Sequence, residues 1–223
     1  MHLTIVSATT QEINPLLLHL MHEWRFLNMM SFVKHELSIH PLVAGVGSMS
    51  MAFSLARFQQ LQKSDLIMHV GISGCYDFHL EIGELCEVRS ERWGDLGAEE
   101  HDGRFLSTHE LNLADPNRFP FKKGIITTHK EVPSTQLKSL DGMTVNCCSG
   151  TEHTIEVRRR MNAPIESMEG IGVFYACRIM DIPFLSVRGI SNHVTPRNKA
   201  MWNIDLAIRK LNAFTIDYIE SLC

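Results

Sequence analysis

A carboxylate, a guanidinium and an amide stand close together late in the chain, where the sequence predicts a helix start followed by a strand. Glu169 ends a polar turn and opens a helical run of small and apolar residues, and the β-rich segment 183–193 then carries Arg188 and Asn192 toward its far end. In an open α/β sheet, ligands bind in the crevice beyond the carboxyl ends of the strands. We therefore expect these three side chains to form the floor of a small-molecule site.

A second carboxylate, Glu12, follows the first predicted strand at residues 2–8 and lies in the first turn of the next predicted helix. Thr9 and Glu12 have the three-residue spacing of a capping box, in which side chains bind the free N–H groups at a helix start. On this local pattern alone, Glu12 is a helix cap. A catalytic role is the alternative, and the two roles are compatible.

Two glycine-rich turns follow predicted strands and leave backbone open at the strand ends. The first is Gly45-Val46-Gly47, after a β-rich stretch at 41–46, and the second is Gly71-Ile72-Ser73-Gly74, after the continuous apolar strand 66–70. The first turn has Ser50 where a dinucleotide fingerprint requires its third glycine, which argues against a nicotinamide or flavin site. The glycines instead favour a close approach of the backbone to a strand or a small ligand.

The composition excludes several classes of function. The 223 residues carry a formal net charge of -4 with both signs mixed, and the one compact basic run, 158–160, is typical of a solvated helix face, so we expect no nucleic-acid binding. The six cysteines show no CxxC pair and no zinc-site spacing, so we expect reduced thiols and no metal. No stretch is apolar enough to cross a membrane and no secretory signal precedes the first strand, which predicts a cytoplasmic protein.

The remaining pattern predicts one α/β domain over residues 1–223, since no repeat or linker interrupts the chain. We expect a surface loop or lid at 94–115 and a long final helix whose apolar stripe packs on the core. The further strands are predicted at 31–38, 85–93, 124–128 and 143–147, with a short helix near Ser134 and another helix that carries Met49, Ala52, Phe53 and Ala56.

Five short motifs, taken together and in this order, resemble the nucleoside phosphorylase and nucleosidase superfamily over nearly the whole chain. They are Ala8 to Glu12, Gly45-Val-Gly47, Gly71-Ile-Ser-Gly74, Met168-Glu169 and Val187-Arg-Gly-Ile-Ser-Asn192. The resemblance implies a three-layer α/β/α fold with a twisted mixed central sheet flanked by helices. It also implies a small-molecule nucleoside substrate, no metal or organic cofactor, and a homodimer or larger assembly of identical subunits.

Within this superfamily, Glu12 resembles the carboxylate with which the methylthioadenosine and S-adenosylhomocysteine nucleosidases activate water. The phosphorylases instead bring arginines to a phosphate, and no clear arginine cluster stands at the glycine-rich turns. The resemblance thus implies an N-glycosyl hydrolase in which Glu12 is the general base and Glu169 binds the ribose hydroxyls. The further substrate-binding positions that it implies are Val46, Gly71, Ile72, Gly74, His153, Thr154, Met168 and Arg188.

Three of these assignments have alternatives. Arg188 can bind a ribose hydroxyl or pair with an acidic neighbour and hold Glu169 in position, and we favour the second. His153 falls where nucleosidases stack an aromatic ring on the base, whereas a lone histidine is also typical of a surface. The alternative for Glu169 is a helix-start carboxylate that the helix dipole stabilises.

Asn192 stands where adenine-specific nucleosidases have an aspartate. A 6-oxopurine presents two acceptors, O6 and N7, and an asparagine amide supplies N–H donors without needing the raised pKa that an aspartate would need. Together with the segment 196–202, Asn192 makes the chain resemble the futalosine hydrolase family of the alternative menaquinone pathway, with hypoxanthine as the departing base. The alternative role of Asn192 is to order a turn.

Futalosine carries at its 5′ end a ketone chain with a carboxyphenyl ring. We expect Arg197 to bind that carboxylate and Trp202 to flank the ring; alternatively, Trp202 docks the last helix and Arg197 is solvated. Three other functions stay open: a methylthioadenosine-type nucleosidase, a purine nucleoside phosphorylase and a non-catalytic nucleoside-binding protein.

Overall fold

Strands and helices alternate along most of the chain. The computed structural model describes residues 1–28, 31–128, 132 and 134–223. The strands are β1 (His2–Ser7), β2 (Arg25–Asn28), β3 (Ser31–Lys34), β4 (Leu37–Val43), β5 (Leu66–Cys75), β6 (Leu85–Trp93), β7 (Gly97–Glu99), β8 (Phe105–Ser107), β9 (Ile125–Thr127), β10 (Lys138–Thr144), β11 (Ile165–Ser167) and β12 (Phe184–His193). The helices are α1 (Thr10–Glu23), α2 (Ser48–Leu61), α3 (Glu152–Arg159), α4 (Gly170–Ile179) and α5 (Ile204–Glu220), with a 3₁₀ turn at Lys199–Met201.

One mixed sheet forms the centre of the fold. Within the described residues its strand order is β11-β10-β6-β12-β5-β1-β4-β3-β2, with β9 paired to β6 and a separate hairpin formed by β7 and β8. Strands β4, β1, β5 and β12 run parallel, whereas β6 is antiparallel to β12. Strand β11 pairs with both β10 and β5, so this end of the sheet curls back on itself.

Each face of the sheet has its own apolar core. Helices α2 and α4 cover one face, where Phe174 is fully buried, and α1 and α5 cover the other, where Leu16 is fully buried. Strand β5 sends Ile67 to the first core and Met68 to the second, so the prediction that 66–70 lies at a sheet centre covered on both faces is confirmed. The predicted three-layer α/β/α fold with a mixed sheet is confirmed as well.

One local prediction was confirmed and another was wrong. The predicted helix that carries Met49, Ala52, Phe53 and Ala56 is α2; its core-facing positions are Ser48, Met51, Leu55 and Gln59, so Met49 and Phe53 point outward and are 82% and 67% exposed. No helix occurs at 134–137, and residues 129–131 and 133 lie outside the described part of the chain.

Other predicted boundaries shift by a few residues. The strand expected at 143–147 is β10, which begins earlier and ends at Thr144. The two β-rich stretches expected at 31–38 and 41–46 are β3 and β4, which are separated by a turn at His35 and not after residue 38. The segment 94–115, expected to be irregular, contains the hairpin of β7 and β8. Across the described ranges, no helix combines the length and the hydropathy that a membrane crossing requires.

Candidate active site

The carboxylate of Glu12 joins a helix cap to the glycine-rich segment 71–74, which was expected to be a turn but lies within β5. Its Oε2 accepts hydrogen bonds from the N–H and the hydroxyl of Thr9, each at 3.0 Å, and its own N–H donates to Thr9 Oγ1, which completes the predicted capping box. Its Oε1 accepts a hydrogen bond from the N–H of Ile72 at 3.2 Å. The cap therefore uses one oxygen, and the other faces the end of β5.

Glu169 does not cap the helix that it precedes. It is the N-cap residue of α4, but its side chain makes no capping hydrogen bond; Oε1 instead accepts one from the N–H of Gly47, at 3.0 Å. Glu169 is buried, and burial raises the pKa of its carboxyl, while the charge of Arg188 opposes the shift. The side chain therefore links the first glycine-rich turn to α4, while its place at the start of α4 is also the one in which the helix dipole stabilises a carboxylate.

The shape of the first glycine-rich turn depends on two glycines with positive φ. Gly45 and Gly47 have φ of 93° and 95°, a region that residues with side chains rarely adopt. This conformation aims the N–H of Gly47 at Glu169 and leaves Val46 exposed between the two glycines. Val46 thus stands next to the carboxylate, as the resemblance implies.

Arg188 is the largest fully buried side chain of the described residues, with 1% exposure. A Cβ on Gly71 would lie 2.1 Å from Arg188 Nη1 and 3.0 Å from Glu12 Oε1, so both groups occupy the space that the glycine leaves free. The expectation that Arg188 pairs with an acidic neighbour is wrong. Within the described part of the chain no carboxylate lies within 4.0 Å of its guanidinium, and Nη2 instead donates to His69 Nε2 at 2.8 Å.

Asn192 lies beside Gly74, where a Cβ would come 3.4 Å from its Nδ2. Its Nδ2 donates to the carbonyl of His193 at 3.1 Å, and its Oδ1 accepts a hydrogen bond from Ser191 Oγ at 2.8 Å. One N–H of the amide therefore remains for a ligand, rather than the two that the sequence argument used.

Sequence reasoning missed a buried carboxylate, Glu166, which lies near the same glycine as Asn192: a Cβ on Gly74 would come 3.6 Å from Glu166 Cγ. Its oxygens accept hydrogen bonds from Tyr76 Oη at 2.5 Å, from the N–H of Ser149 at 2.9 Å and from Ser149 Oγ at 2.8 Å. Arg158 Nη1 donates to the same Ser149 hydroxyl at 2.8 Å. This network fixes the loop 146–150 against β11. Glu166 is followed two residues later by the half-buried Met168, which precedes Glu169.

His153 and Thr154 are not brought to the carboxylates. Thr154 closes a capping box with Thr151 at the start of α3, and this turns His153 outward, where its Nε2 lies 3.7 Å from Glu99 Oε1. His153 lines a cavity of about 620 Å³ that neither carboxylate borders. The candidate active site is the one at the carboxylates rather than this cavity, because the convergent buried charges and strand ends lie there.

Arg197 and Trp202 do come together, in the segment after β12. The guanidinium carbon lies 4.9 Å from the centre of the Trp202 ring, and the N–H of Arg197 donates to the carbonyl of Gly150 at 3.1 Å. They line a surface cavity of about 300 Å³ with Lys199. The N–H of Asn203 donates to the carbonyl of Ser191 at 2.8 Å, so this segment is anchored next to Asn192.

Sequence reasoning also missed a second buried carboxylate, Glu91, near the end of β6. It is almost fully buried, and burial raises its pKa to about 7, although a hydrogen bond from Thr144 Oγ1 at 2.8 Å and the charge of Arg188 oppose the shift. Its carboxyl occupies the space beside Gly170, the first residue of α4. Glu91 and Glu169 therefore both lie at the start of α4, where the negative charge of Glu169 raises the pKa of Glu91 further.

Replacing Glu91 by Gln should make the free energy of unfolding less dependent on pH. The folded-state pKa lies above the ordinary value of 4.5, so between these values the folded chain binds more protons than the unfolded chain and loses stability as pH rises. Glu91→Gln keeps an acceptor for Thr144 and has no charge to bury. At pH 8 the variant should exceed the parent by up to about 3 kcal/mol, and at pH 4.5 by little.

Denaturant titrations at several pH values measure this difference, with the exposed Glu36→Gln as the control. A constant offset between Glu91→Gln and the parent from pH 4.5 to 8 would show that burial of the Glu91 charge does not cause the pH dependence.

The chain is similar to known proteins over almost its whole length. A family model described as the phosphorylase superfamily matches residues 2–220. The futalosine hydrolase of Thermus thermophilus is 29% identical over 192 residues, which cover 84% of this chain and 81% of the relative. That of Streptomyces coelicolor is 30% identical over 175 residues, which cover 76% of this chain and 74% of the relative.

Solved structures show the same fold at lower identity. The native structure of futalosine hydrolase of Helicobacter pylori superposes with a TM-score of 0.79 at 14% identity, over 99% of this chain and 98% of the other. The 5′-methylthioadenosine/S-adenosylhomocysteine nucleosidase from S. pneumoniae, with the transition-state inhibitor MT-ImmA, gives 0.79 at 15% identity over the full length of both chains. At these identities the likeness concerns the fold alone.

Proposed function

The chain belongs to the phosphorylase superfamily and is an N-glycosyl hydrolase, and we propose that it hydrolyses futalosine to hypoxanthine and dehypoxanthine futalosine in menaquinone biosynthesis. The superfamily resemblance indicated by the five motifs is thereby confirmed. The assignment of futalosine as the substrate draws on the two futalosine hydrolases that are similar to this chain, and on Asn192, whose free N–H suits a 6-oxopurine. Residues 1–223 would act as one domain, since α1 and α5, from opposite ends of the chain, share one core.

The observation that carries hydrolysis is the arrangement over Gly71. Glu12 Oε1 and Arg188 Nη1 lie on the same side of this glycine, beyond ion-pair distance from each other, and both are close to it. Such a separation suits one water molecule that donates to the carboxylate and accepts from the guanidinium. A bound water between a base and a cation is the nucleophile that a hydrolase requires.

Cleavage of an N-ribosidic bond develops positive charge on the sugar and negative charge on the departing base. Glu12 would take the proton of the attacking water, and Glu169, fixed by the N–H of Gly47, would bind ribose hydroxyls and stabilise the oxocarbenium-like sugar. Arg188 would orient the water and lower the energy of the developing hydroxide. The proposed walls of the sugar pocket are Val46, Gly71, Ile72 and Met168.

The base would lie at the other end of the site, between Gly74 and the loop 146–150. Asn192 would donate its free N–H to N7 or O6 of hypoxanthine, while the network around Glu166 holds the loop in place. A base that accepts this hydrogen bond leaves more readily, because negative charge develops on the purine as the bond breaks. His153 and Thr154 lie at the start of α3, away from Glu12 and Glu169, and have no role in the proposed reaction.

Replacing Asn192 by Asp should reverse the preference between the two classes of purine. An ionised aspartate places a charge against O6 and N7 and offers no donor, so the ratio of kcat/KM for futalosine to that for methylthioadenosine should fall by about 10- to 100-fold, or 1–3 kcal/mol. The ratio serves as an internal control, because the lost hydrogen bond to His193 affects both substrates. An unchanged ratio would remove Asn192 as the reader of the base.

The 5′ substituent of futalosine needs a partner for its carboxylate. Arg197 and Trp202 offer a guanidinium stacked on an indole, within the segment anchored beside Asn192. A carboxyphenyl group can use both, by an ion pair with the first and ring contact with the second. We propose this pair as the subsite that separates futalosine from inosine.

Replacing Arg197 by Ala should raise the KM for futalosine by about 10-fold, because a charge-assisted hydrogen bond is lost, and leave the KM for inosine nearly unchanged. Lys199→Ala, a cation of the same surface cavity, is the matched control and should change neither value. Equal increases for both substrates would assign Arg197 to the structure of the segment.

The reaction itself is tested by incubating the protein with futalosine, inosine and methylthioadenosine, with and without phosphate, and measuring free base and sugar. Futalosine should release hypoxanthine and a free sugar at a rate that does not depend on phosphate. A sugar 1-phosphate would identify a phosphorylase, adenine release from methylthioadenosine alone would identify a nucleosidase of the other branch, and nucleoside binding without any base release would identify a binding protein.

We propose further that the enzyme is a homodimer or larger homo-oligomer. The outer face of α2 and α4 exposes Met49, Phe53, Tyr175 and Ile179, and the two helices begin at the hydrogen bond between Gly47 and Glu169. An apolar face of this kind is typical of a subunit interface. Light scattering should report an oligomer for the parent chain and a smaller species for Phe53→Glu; a monomeric parent would refute the proposal.

A further inference from the structure

One buried histidine touches the guanidinium of the site. His69 lies on β5, two residues before Gly71, and is fully buried. Its Nε2 lies 2.8 Å from Arg188 Nη2, and its Nδ1 lies 3.2 Å from Ser186 Oγ and 3.4 Å from the same Nη2. No local sequence pattern indicates this contact, because His69 interrupts an apolar strand and its two partners follow more than 100 residues later.

The partners determine the state of the imidazole. A guanidinium only donates hydrogen bonds, so the ring nitrogen that it binds must accept. Of its two contacts with Nη2 of Arg188, the one to Nε2 is shorter, and we therefore assign the ring proton to Nδ1, which then donates to Ser186 Oγ. Burial, and then the charge of Arg188, lower the pKa of His69 well below its ordinary value. His69 is consequently a neutral acceptor of fixed tautomer.

A neutral acceptor orients Arg188 without cancelling its charge. A carboxylate in the same place would form an ion pair and draw Nη2 and Nη1 toward itself, whereas an imidazole binds Nη2 alone. Among the residues that the structure describes, no acid lies within 4.0 Å of this guanidinium. Its positive charge thus remains directed toward Gly71 and the second oxygen of Glu12.

We propose that His69 is a positioning residue for the hydrolysis: it holds Arg188 with Nη1 over Gly71 beside Glu12, and Ser186 fixes the tautomer in which it can do so. The inference rests on the proposed nucleosidase activity for its kinetic consequences, but the geometry can be tested separately. It assigns a role to a side chain that touches neither substrate nor water.

Two amide variants of equal polarity test the proposal. In His69→Gln the side-chain oxygen reaches the place of Nε2, whereas in His69→Asn it reaches only the place of Nδ1, which lies 3.4 Å from Arg188 Nη2, so the short contact of 2.8 Å is lost. We expect His69→Asn to lose about 10- to 100-fold in kcat with KM for futalosine changed by less than about 3-fold, since small misplacement of a catalytic group costs that much. His69→Gln should recover to within about 5-fold of the parent.

A matched control is His40→Asn, which changes another buried histidine, on β4 against the ring of Phe58, and should leave kcat unchanged. Crystal structures of the two His69 variants provide a readout without turnover: the guanidinium should leave Gly71 in His69→Asn and stay in His69→Gln. Arg188 unmoved in His69→Asn, or equal kcat in the two variants, would overturn the proposal. A parent that hydrolyses no nucleoside would instead overturn the proposed function, and the crystal structures would still decide the role of His69.

Discussion

Replacing Glu12 by Gln should lower the turnover of futalosine by about 10²- to 10⁴-fold, the range typical of a lost general base, while the substrate still binds. Glutamine is also accepted at this position of a capping box, but its one oxygen accepts either from Thr9 or from Ile72, because the other end of the amide is a donor. The variant therefore removes the basicity of the carboxylate together with one of its backbone hydrogen bonds. Steady-state kinetics, with KM and melting temperature measured alongside, separate the two roles.

The matched control for this variant is Glu152→Gln, which makes the same change in the first turn of α3 and away from the site. It should keep the kcat of the parent. Near-normal kcat in Glu12→Gln would reduce Glu12 to a helix cap. A loss of activity that follows a loss of folded protein would also fail to support a general base, so both variants are compared at temperatures well below melting.

Glu169→Gln should cost about 10²- to 10³-fold in kcat. Its Oε1 accepts the N–H of Gly47, which an amide oxygen also does, so the variant mainly removes a negative charge from a buried position next to the developing oxocarbenium ion. Because burial raises the pKa of Glu169, the parent should also lose activity on acidification at a less acidic pH than an ordinary carboxyl would cause. This acid limb should be weaker in the variant.

Rate measurements from pH 4.5 to 8 test both statements, with Glu156→Gln on the exposed face of α3 as the control. A loss of less than about 10-fold in Glu169→Gln would mean that the charge is not needed and that Glu169 only binds hydroxyls. An unchanged acid limb would assign the titration to another group, of which Glu91 is the nearest candidate with a raised pKa.

The sequence was sufficient for the parts of the site that depend on local pattern. Thr9 and Glu12 are three residues apart, so their capping box follows from spacing alone, and the glycines at 45 and 47 signal an open turn. Glu169 could be placed because it directly precedes a helical run. The strand 85–93 agreed with β6 at both ends, since its residues are bounded by turn signals.

The rest depends on partners that are distant in sequence. Glu166 and Glu91 lie in strands, and nothing within a few residues shows that Tyr76 or Thr144 will satisfy their carboxyls. The same holds for His69. Conversely, the order of the motifs along the chain assigned His153 to the site, but the capping box of α3 orients its side chain outward. The position of a residue among the motifs does not show how the first turn of a helix directs its side chain.

The hydrogen bonds of Glu12 also bear on how the enzyme should lose activity on heating. The oxygen that holds the first turn of α1 and the oxygen that faces Gly71 belong to one carboxyl group, so fraying of that turn withdraws the base from the site. Helix ends open locally at a lower free energy than the whole fold unfolds. We therefore expect reversible thermal inactivation to begin below the global melting transition, because opening of the first turn of α1 alone is enough to stop the reaction.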